Sequence, residues 1–441
     1  MRFAVLLLLA VAAPAQDIAV KADEYLNSFV NAKQFSGSVL IARDGKVLFS
    51  GGYGMANLEH NVPNSTKTKY RLGSITKQFA ATAILQLEER GKLKVEDSIC
   101  LHVTECPETW KPITIHNLLT HTSGIPNFTS FPEYRREWML PSRPPETTKK
   151  FRDKPLDFPP GSQFRYSNSG YILLAVIIEK ASGESWESFT RKNIFDPAGM
   201  HDSGHDTHAS ILPHRATGYW MEAGQWANSA FHDMSIPIGG GDLYSTVEDM
   251  LKWDQALYTE IILTKKSLDK AFTPFKSGYA YGWSTGELFQ KRRIGHGGGI
   301  NGFVTNFDRF PEERTTIVVL SNFNGSPVPR IARDLAAILY GQSYEPYRAR
   351  TAIKLDPKMY DTLAGKYQLS PDAVITITRE GDSLMTQLTG QGKSEVFPES
   401  ENKFFLKVVD AQLTFHRDAS GKATSLTLHQ NGRDVPANRV E

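Results

Sequence analysis

The sequence predicts an α+β protein: an antiparallel sheet flanked by helices, with an inserted helical region, followed by a small antiparallel β-barrel-like domain. Three observations carry that expectation. Two apolar, strand-like runs near the start, residues 37–42 and 46–50, are joined by Arg43-Asp44-Gly45, a hairpin signal. Two further strand-like runs, 302–310 and 315–321, come only after a long, mainly helical stretch, so the sheet draws its strands from both ends of the domain. After Tyr340 the texture changes to short alternating strands separated by turn residues.

Taken in order, residues 1–15 read as a secretory signal peptide. Met1-Arg2 precede an apolar run, and Ala13-Pro14-Ala15 resembles a cleavage site. The run is shorter than the roughly 20 residues a bilayer-spanning helix needs, and no transmembrane anchor is expected. An amphipathic helix follows from about residue 17 to 31. Ser74 opens a helix through Phe79, Ala83, Ile84 and Leu87, closed at Gly91. Residues 112–273 read as mostly helical with long loops, and Ser245-Thr246-Val247-Glu248 as a capping box. A last helix places Ile331, Leu335, Ile338 and Leu339 on one face. The domain boundaries expected are 1–15 signal peptide, 16–345 main domain, 346–358 polar linker and 359–441 β-domain.

Of the 441 residues, 40% are hydrophobic and 22% charged, with a net charge of +2. That is globular composition with ample core material, and it offers no basis for nucleic-acid binding. The two cysteines, Cys100 and Cys106, lie in a loop-like stretch, and in an exported chain they are expected to be bridged. The expected location is periplasmic or secreted.

Three short segments carry chemistry. In Ser74-Ile75-Thr76-Lys77 the serine and lysine share one helix face about a turn apart. A serine hydroxyl needs a base to take its proton, and burial can turn a lysine into one. Spacing alone is weak, since Ser267-Leu268-Asp269-Lys270 has it too. Tyr166-Ser167-Asn168 lies in a loop rich in glycine and serine, where a phenol beside an ammonium can shuttle protons. Tyr25-Leu26-Asn27 repeats that spelling within the first helix. His296-Gly297-Gly298-Gly299, expected just ahead of a strand, supplies backbone N–H groups for an oxyanion, with the histidine as a donor or charge at the rim.

Together these segments resemble the class C β-lactamase, penicillin-binding protein and serine esterase family. The similarity extends to Tyr70-Arg71-Leu72-Gly73, Leu118-Leu119-Thr120-His121-Thr122-Ser123-Gly124-Ile125-Pro126, Gly239-Gly240-Gly241-Asp242-Leu243-Tyr244-Ser245-Thr246 and Val318-Val319-Leu320-Ser321-Asn322, and it covers about residues 30–340. The resemblance implies a β-lactamase/transpeptidase-like sheet domain joined to a helical domain, with the site in the cleft between them. It implies that Ser74 attacks the carbonyl, that Lys77 and Tyr166 share the base role, and that Asn168 hydrogen-bonds the substrate amide. It also implies that the N–H groups of Ser74 and Gly299 form the oxyanion hole and that His296, Gly297, Gly298 and Gly299 bind substrate alongside Asn168. The C-terminal segment is similar to lipocalin-like β-domains.

One position departs from the pattern. Class C β-lactamases carry Lys-Thr-Gly where this chain has His296-Gly297-Gly298, which resembles the D-peptidases and esterases of the group and implies a weaker carboxylate anchor. The function expected is a cofactor-independent serine hydrolase acting through an acyl-enzyme. Its substrate is a small molecule or peptide, an ester or a D-amino-acid amide, with a cell-wall origin as one source. The alternatives are a β-lactamase and a penicillin-binding sensor without turnover. Two rivals fit less well. An α/β-hydrolase needs a G-x-S-x-G elbow, which is not expected here, and its glycine loop precedes the nucleophile. A metal hydrolase would use His201, Asp202, His205, Asp206 and His208, but no H-E-x-x-H occurs and no metal is expected.

Overall fold

The computed structural model describes residues 12–222, 224–348, 350–370, 373–407, 411–430 and 433–441. The chain divides into two compact units, the first ending at Glu345 and the second spanning Pro346–Glu441. Residues 1–11 of the expected signal peptide lie outside the described residues, and Ala12 already belongs to the first helix.

The first unit is built on a six-stranded antiparallel sheet. Its strands are β1 (Gly37–Arg43), β2 (Lys46–Tyr53), β3 (Ser284–Leu288), β4 (Lys291–Ile300), β5 (Phe303–Phe310) and β6 (Thr315–Ser321), in the order β3-β4-β5-β6-β1-β2. The Asp44-Gly45 turn joins β1 to β2 with φ of 51° and 72°, the double positive φ of a type I′ hairpin. Central β1 and β6 pair Val39 with Val319 and are buried along nearly their whole length. They are continuous apolar runs because both faces are covered. Helices α1 (Ala12–Asn31) and α5 (Val328–Tyr340) pack against the sheet and each other, with Tyr25 donating to Asp334 Oδ2 at 2.8 Å. That bond gives the Tyr25-Leu26-Asn27 look-alike a structural purpose.

Helix α2 (Thr76–Glu89) is buried from Thr76 through Leu87. A helix apolar or buried all round must lie inside the unit, and α3 (Asn168–Ser182) packs directly on it. Helix α4 (Val247–Ala256) covers β1 and β6. Its N-cap is Thr246, whose Oγ1 accepts the Asp249 N–H at 3.1 Å, rather than the expected Ser245. Ser245 instead hydrogen-bonds Ser203.

One further expectation needs correction. The stretch from 112 to 273 also holds short strands: Gly204–His205 and Leu243–Ser245 join Tyr70–Arg71 in a three-stranded sheet, and Tyr219–Glu222 pairs with Gln225–Asn228. Pieces of two to four residues are too short to show a period, and the three-stranded sheet joins partners far apart in the chain. The His296-Gly297-Gly298-Gly299 segment stands ahead of β5, as expected, and itself lies inside β4. Glycine has little strand propensity, so pairing of β4 with β5 decides its conformation.

The second unit is a closed eight-stranded antiparallel barrel of Gly365–Ser370, Ala373–Glu380, Ser383–Leu388, Ser394–Pro398, Lys403–Leu406, Ala411–Arg417, Ala423–Gln430 and Arg433–Arg439. Its first strand pairs with its last, which removes the open edges. Tyr367, Phe404, Leu413 and Leu426 lie in its core. Val408 and Val409, the end of one expected strand, lie outside the described residues. Cys100 and Cys106 are disulfide-bonded. Among the described residues no helix is long and apolar enough to cross a membrane.

Candidate active site

Ser74 sits in the 3₁₀ turn Gly73–Ile75 that leads into α2, and Lys77 lies in the first turn of that helix. The expected one-turn spacing holds: Lys77 Nζ donates to Ser74 Oγ at 2.9 Å. The ammonium end also reaches Asn168 Oδ1 at 2.9 Å and the Gly240 carbonyl at 2.8 Å. Tyr166, in the loop before α3, donates to the same Ser74 oxygen at 2.9 Å. One hydroxyl, one amine and one phenol from segments some ninety residues apart thus meet at a single oxygen.

Burial sets their protonation. Lys77 is fully buried, which lowers its pKa from 10.5 to about 7 against the opposing pull of Asp242. The amine is therefore substantially neutral at physiological pH, and in that form its two N–H bonds go to Asn168 Oδ1 and the Gly240 carbonyl while its lone pair faces the Ser74 hydroxyl, as a base requires. Burial also raises Tyr166 well above its ordinary value, and the hydrogen bond with Ser74 only partly opposes this. Tyr166 is a phenol that donates and not a phenolate that accepts. Desolvation outweighs the stabilisation an adjacent ammonium can give when that ammonium is itself largely neutral.

Asn168 is the first residue of α3, and its side chain is divided between two partners. Its Oδ1 accepts from Lys77, and its Nδ2 donates to Thr129 Oγ1 at 3.1 Å. The expected histidine at the rim is a correction. His296 is only 7% exposed, and its Nε2 lies 2.9 Å from Tyr279 OH and its Nδ1 2.6 Å from the Gly297 carbonyl. The carbonyl can only accept, so the Nδ1 carries the proton and Nε2 accepts from the tyrosine. Burial, then the positive field of Lys77, lowers the His296 pKa to about 4, so it holds β4 in place as a neutral ring.

Strand β4 lies against the Ser74 turn so closely that position 298 has no room for a side chain. A Cβ there would come within 1.9 Å of the Leu72 carbonyl and 2.3 Å of Thr305 Oγ1, which itself donates to that carbonyl. Gly298→Ala is expected to push β4 away from the turn, costing about 2 kcal/mol of stability and slowing acylation. Thermal denaturation and the rate of Ser74 labelling check both effects.

Sequence reasoning assigned no role to His121, Asp242 or Gly240. Asp242 accepts from Gly239 N–H at 2.8 Å and Trp186 Nε1 at 3.0 Å, anchoring the glycine turn whose Gly240 carbonyl holds Lys77. His121 packs its ring 4.2 Å from that of Tyr166. Both residues stand in segments that the family resemblance covers, yet no spacing rule points to them.

The decoys resolve in physical terms. Lys270 of the second S-x-x-K pairs with Glu88 at 2.9 Å on a part-buried helix face. The expected absence of G-x-S-x-G is incorrect: Gly282-Trp283-Ser284-Thr285-Gly286 spells it. Ser284 there opens β3, an edge strand of an antiparallel sheet, and not the strand-to-helix elbow the α/β-hydrolase mechanism needs. Of the weighed metal ligands, His205 pairs with Asp242 at 2.7 Å, Asp206 with Arg71 at 2.6 Å and Asp202 with Lys69 at 2.9 Å. Among the described residues no group of three or more His, Cys, Asp or Glu gathers in metal-binding geometry.

Residues 22–342 match the family model described as Beta-lactamase. The chain belongs to the Beta-lactamase family. Residues 349–438 match a second model, described as a domain of unknown function, DUF3471. Among relatives of this Beta-lactamase family member, Penicillin-binding protein 4* of Bacillus subtilis is 32% identical over 441 aligned residues, covering 92% of this chain and 96% of the relative. The structure of an octameric penicillin-binding protein homologue from Pyrococcus abyssi superposes with TM-score 0.68 at 26% identity, covering 95% of this chain and 99% of that one. A D-amino acid amidase from Ochrobactrum anthropi shares the fold with TM-score 0.64 at 24% identity, over 75% of this chain and 98% of that one. The protein is a serine hydrolase of the β-lactamase fold with a C-terminal β-barrel.

Proposed function

We propose that the protein hydrolyses an ester, or an amide with a D-configured residue, through an acyl-enzyme on Ser74, in a class C-like arrangement. The observation that carries this reading is the placement of Lys77 Nζ and Tyr166 OH each 2.9 Å from Ser74 Oγ. In the proposed mechanism neutral Lys77 takes the hydroxyl proton as Ser74 Oγ attacks the carbonyl carbon. The N–H groups of Ser74 and Gly299 stabilise the oxyanion, and the Tyr166 phenol donates to the leaving group. It then recovers its proton by way of Lys77. Water completes the cycle by the reverse proton path, releasing acid and Ser74. His296-Gly297-Gly298 supports D-peptidase or esterase activity over β-lactam hydrolysis, because a neutral, internally bonded histidine offers no charge to an antibiotic carboxylate. The D-amino acid amidase and penicillin-binding protein likenesses are in keeping with this substrate class. The basic-then-apolar N-terminus and the Cys100–Cys106 bridge support a periplasmic or secreted location.

Incubation with a fluorophosphonate, followed by peptide mass spectrometry, tests the acyl-enzyme. The expected result is one adduct at Ser74, lost in Ser74→Ala. An adduct that persists in that variant defeats the proposal.

A further inference from the structure

A cleft of about 290 Å³ opens beside Ser74, Asn168 and Gly299. Phe128, Tyr134, Ile172, His232, Pro237 and Ile300 form much of its wall, and Asn301 stands at its partly exposed edge. Among its described lining residues there is no Asp, Glu, Lys or Arg.

The wall is packed rather than loose. The rings of Phe128 and Tyr134 meet edge to face at 5.4 Å, Tyr134 meets Trp138 at 5.6 Å, and Trp138 stacks on His232 at 5.9 Å. The Asp233 N–H donates to the Trp138 carbonyl at 2.9 Å, fixing the His232 segment to that aromatic turn. Phe128 N–H donates to Ser169 Oγ on α3 at 3.0 Å, so the opposite wall is tied to the helix that carries Asn168. His232 is 3% exposed, and its Nδ1 has no hydrogen-bond partner in the protein. Desolvation, then the field of Arg71, lowers its pKa to about 4, so the ring is neutral. Lys77 stands beside the cleft, 2.9 Å from Ser74 Oγ and Asn168 Oδ1, with burial lowering its pKa to about 7; of the other charges near this wall, Arg71 bonds Asp206 at 2.6 Å, and Asp233 bonds Ser235 and lies 3.8 Å from His208.

From this geometry, and resting on the proposed acyl-enzyme, we infer that the cleft selects an uncharged, apolar acyl group, aliphatic or aromatic, and rejects acyl groups bearing a carboxylate or an ammonium, so that a D-configured residue in the acyl group is one whose α-amine is itself acylated. A charge moved into this cleft gives up its hydration: an ammonium meets no carboxylate among the described lining residues, and a carboxylate meets only Lys77, which could pair with it only by holding the proton that a base must lack. The neutral imidazole of His232 offers a single polar contact, suited to an amide or ester oxygen or N–H of the acyl chain. A fixed charge would also disturb the base. An acyl carboxylate would pull the Lys77 pKa up and keep it protonated, whereas an acyl cation would raise the potential on the developing ammonium. Substrate neutrality and base tuning are thus one requirement.

The test compares p-nitrophenyl hexanoate, monoadipate and 6-(trimethylammonio)hexanoate, which share a chain length and differ in charge. Full-length protein is expected to favour the hexanoate in kcat/KM by about tenfold or more over each charged ester, as expected when a site leaves a buried group unpaired. Asn301→Lys, at the edge of the cleft, is expected to narrow the gap for the monoadipate alone, and Asn301→Asp for the trimethylammonium ester alone. The same preparations are labelled with a neutral alkyl fluorophosphonate. If Ser74 labels and the three esters react equally, or a charged ester is preferred, the neutral-cleft inference is overturned while the acyl-enzyme stands. If Ser74 does not label and no ester is hydrolysed, both readings fall.

Discussion

Lys77→Met is expected to slow acylation of Ser74 by about 1000-fold, within the range that positioned general bases contribute. Methionine fills nearly the same volume but cannot accept the Ser74 proton. The argument is specific to the base role because it predicts a pH profile as well as a loss. Lys77 titrates at about 7, so the neutral, active form grows as pH rises through that value. The second-order rate of fluorophosphonate labelling should therefore climb about tenfold per pH unit below 7 and level off above it. In Lys77→Met the remaining rate should be nearly flat across that window. A wild-type profile without an inflection near 7, or a Met variant that keeps it, would move the base role to another group. Tyr166→Phe should also cost about 100-fold while keeping the Lys77 inflection, because its phenol donates rather than accepts.

The same buried amine makes a stability prediction of definite sign. In the unfolded chain Lys77 keeps its ordinary value of 10.5, and in the folded protein it titrates at about 7. Above 10.5 both states are neutral and the shift has no effect. As pH falls from 10.5 towards 7 the unfolded state takes up a proton that the folded state refuses, so the folded state loses several kcal/mol on the order-of-magnitude relation between pKa shift and stability. Lys77→Met lacks that term. Its melting temperature relative to the natural protein should rise steadily as pH is lowered across that interval, whatever the constant cost of orphaning the Gly240 carbonyl and Asn168 Oδ1. Parallel melting curves at pH 7 and pH 10.5 would contradict the depressed pKa. The site would then be one in which activity has no stability penalty.

How much of this was legible in the residues follows from what kind of interaction fixes each part. The hairpin of β1 and β2 and the nucleophile helix were readable because the turn signal, helical periodicity and the glycine stop are local. The centre of the sheet was readable because β1 and β6 are continuous apolar runs that double-sided burial explains. Ser74, Lys77 and Tyr166 were each weak when taken singly and became convincing together. The structure shows why: α2 and the Tyr166 loop bring them to one oxygen. Strand β3, the short paired segments and the strand placement of Gly297 to Gly299 were not legible, since backbone pairing imposes them where the residues themselves show no strand pattern. Nor was the protonation of the site, because the states of Lys77, Tyr166 and His296 depend on burial and not on spacing.

His121→Ala is expected to lower kcat by about 100-fold with a much smaller change in KM, the size of loss that misplacing a catalytic group by an ångström produces. His121 is a positioning residue that grips Tyr166 from both sides of the chain. Its carbonyl accepts the Arg165 N–H at 2.9 Å, and its Nδ1 accepts the Ser167 N–H at 3.2 Å, while its ring packs on the Tyr166 ring. A left-handed backbone, φ 55°, accompanies this double grip. Accepting at Nδ1 requires a neutral ring, and burial, followed by the charges of Lys77 and His296, pushes its pKa well down. Three variants separate the contributions. Alanine loses the ring and the acceptor; phenylalanine restores a ring but no acceptor and resists left-handed backbone. Asparagine tolerates that backbone and can offer an oxygen to Ser167, so it should recover more of kcat than phenylalanine does. The decisive measurement is kcat per titrated Ser74, counted by fluorophosphonate burst. If His121 only supports the fold, His121→Ala will titrate fewer sites that each turn over normally; if it aims Tyr166, the labelled sites themselves will be slow.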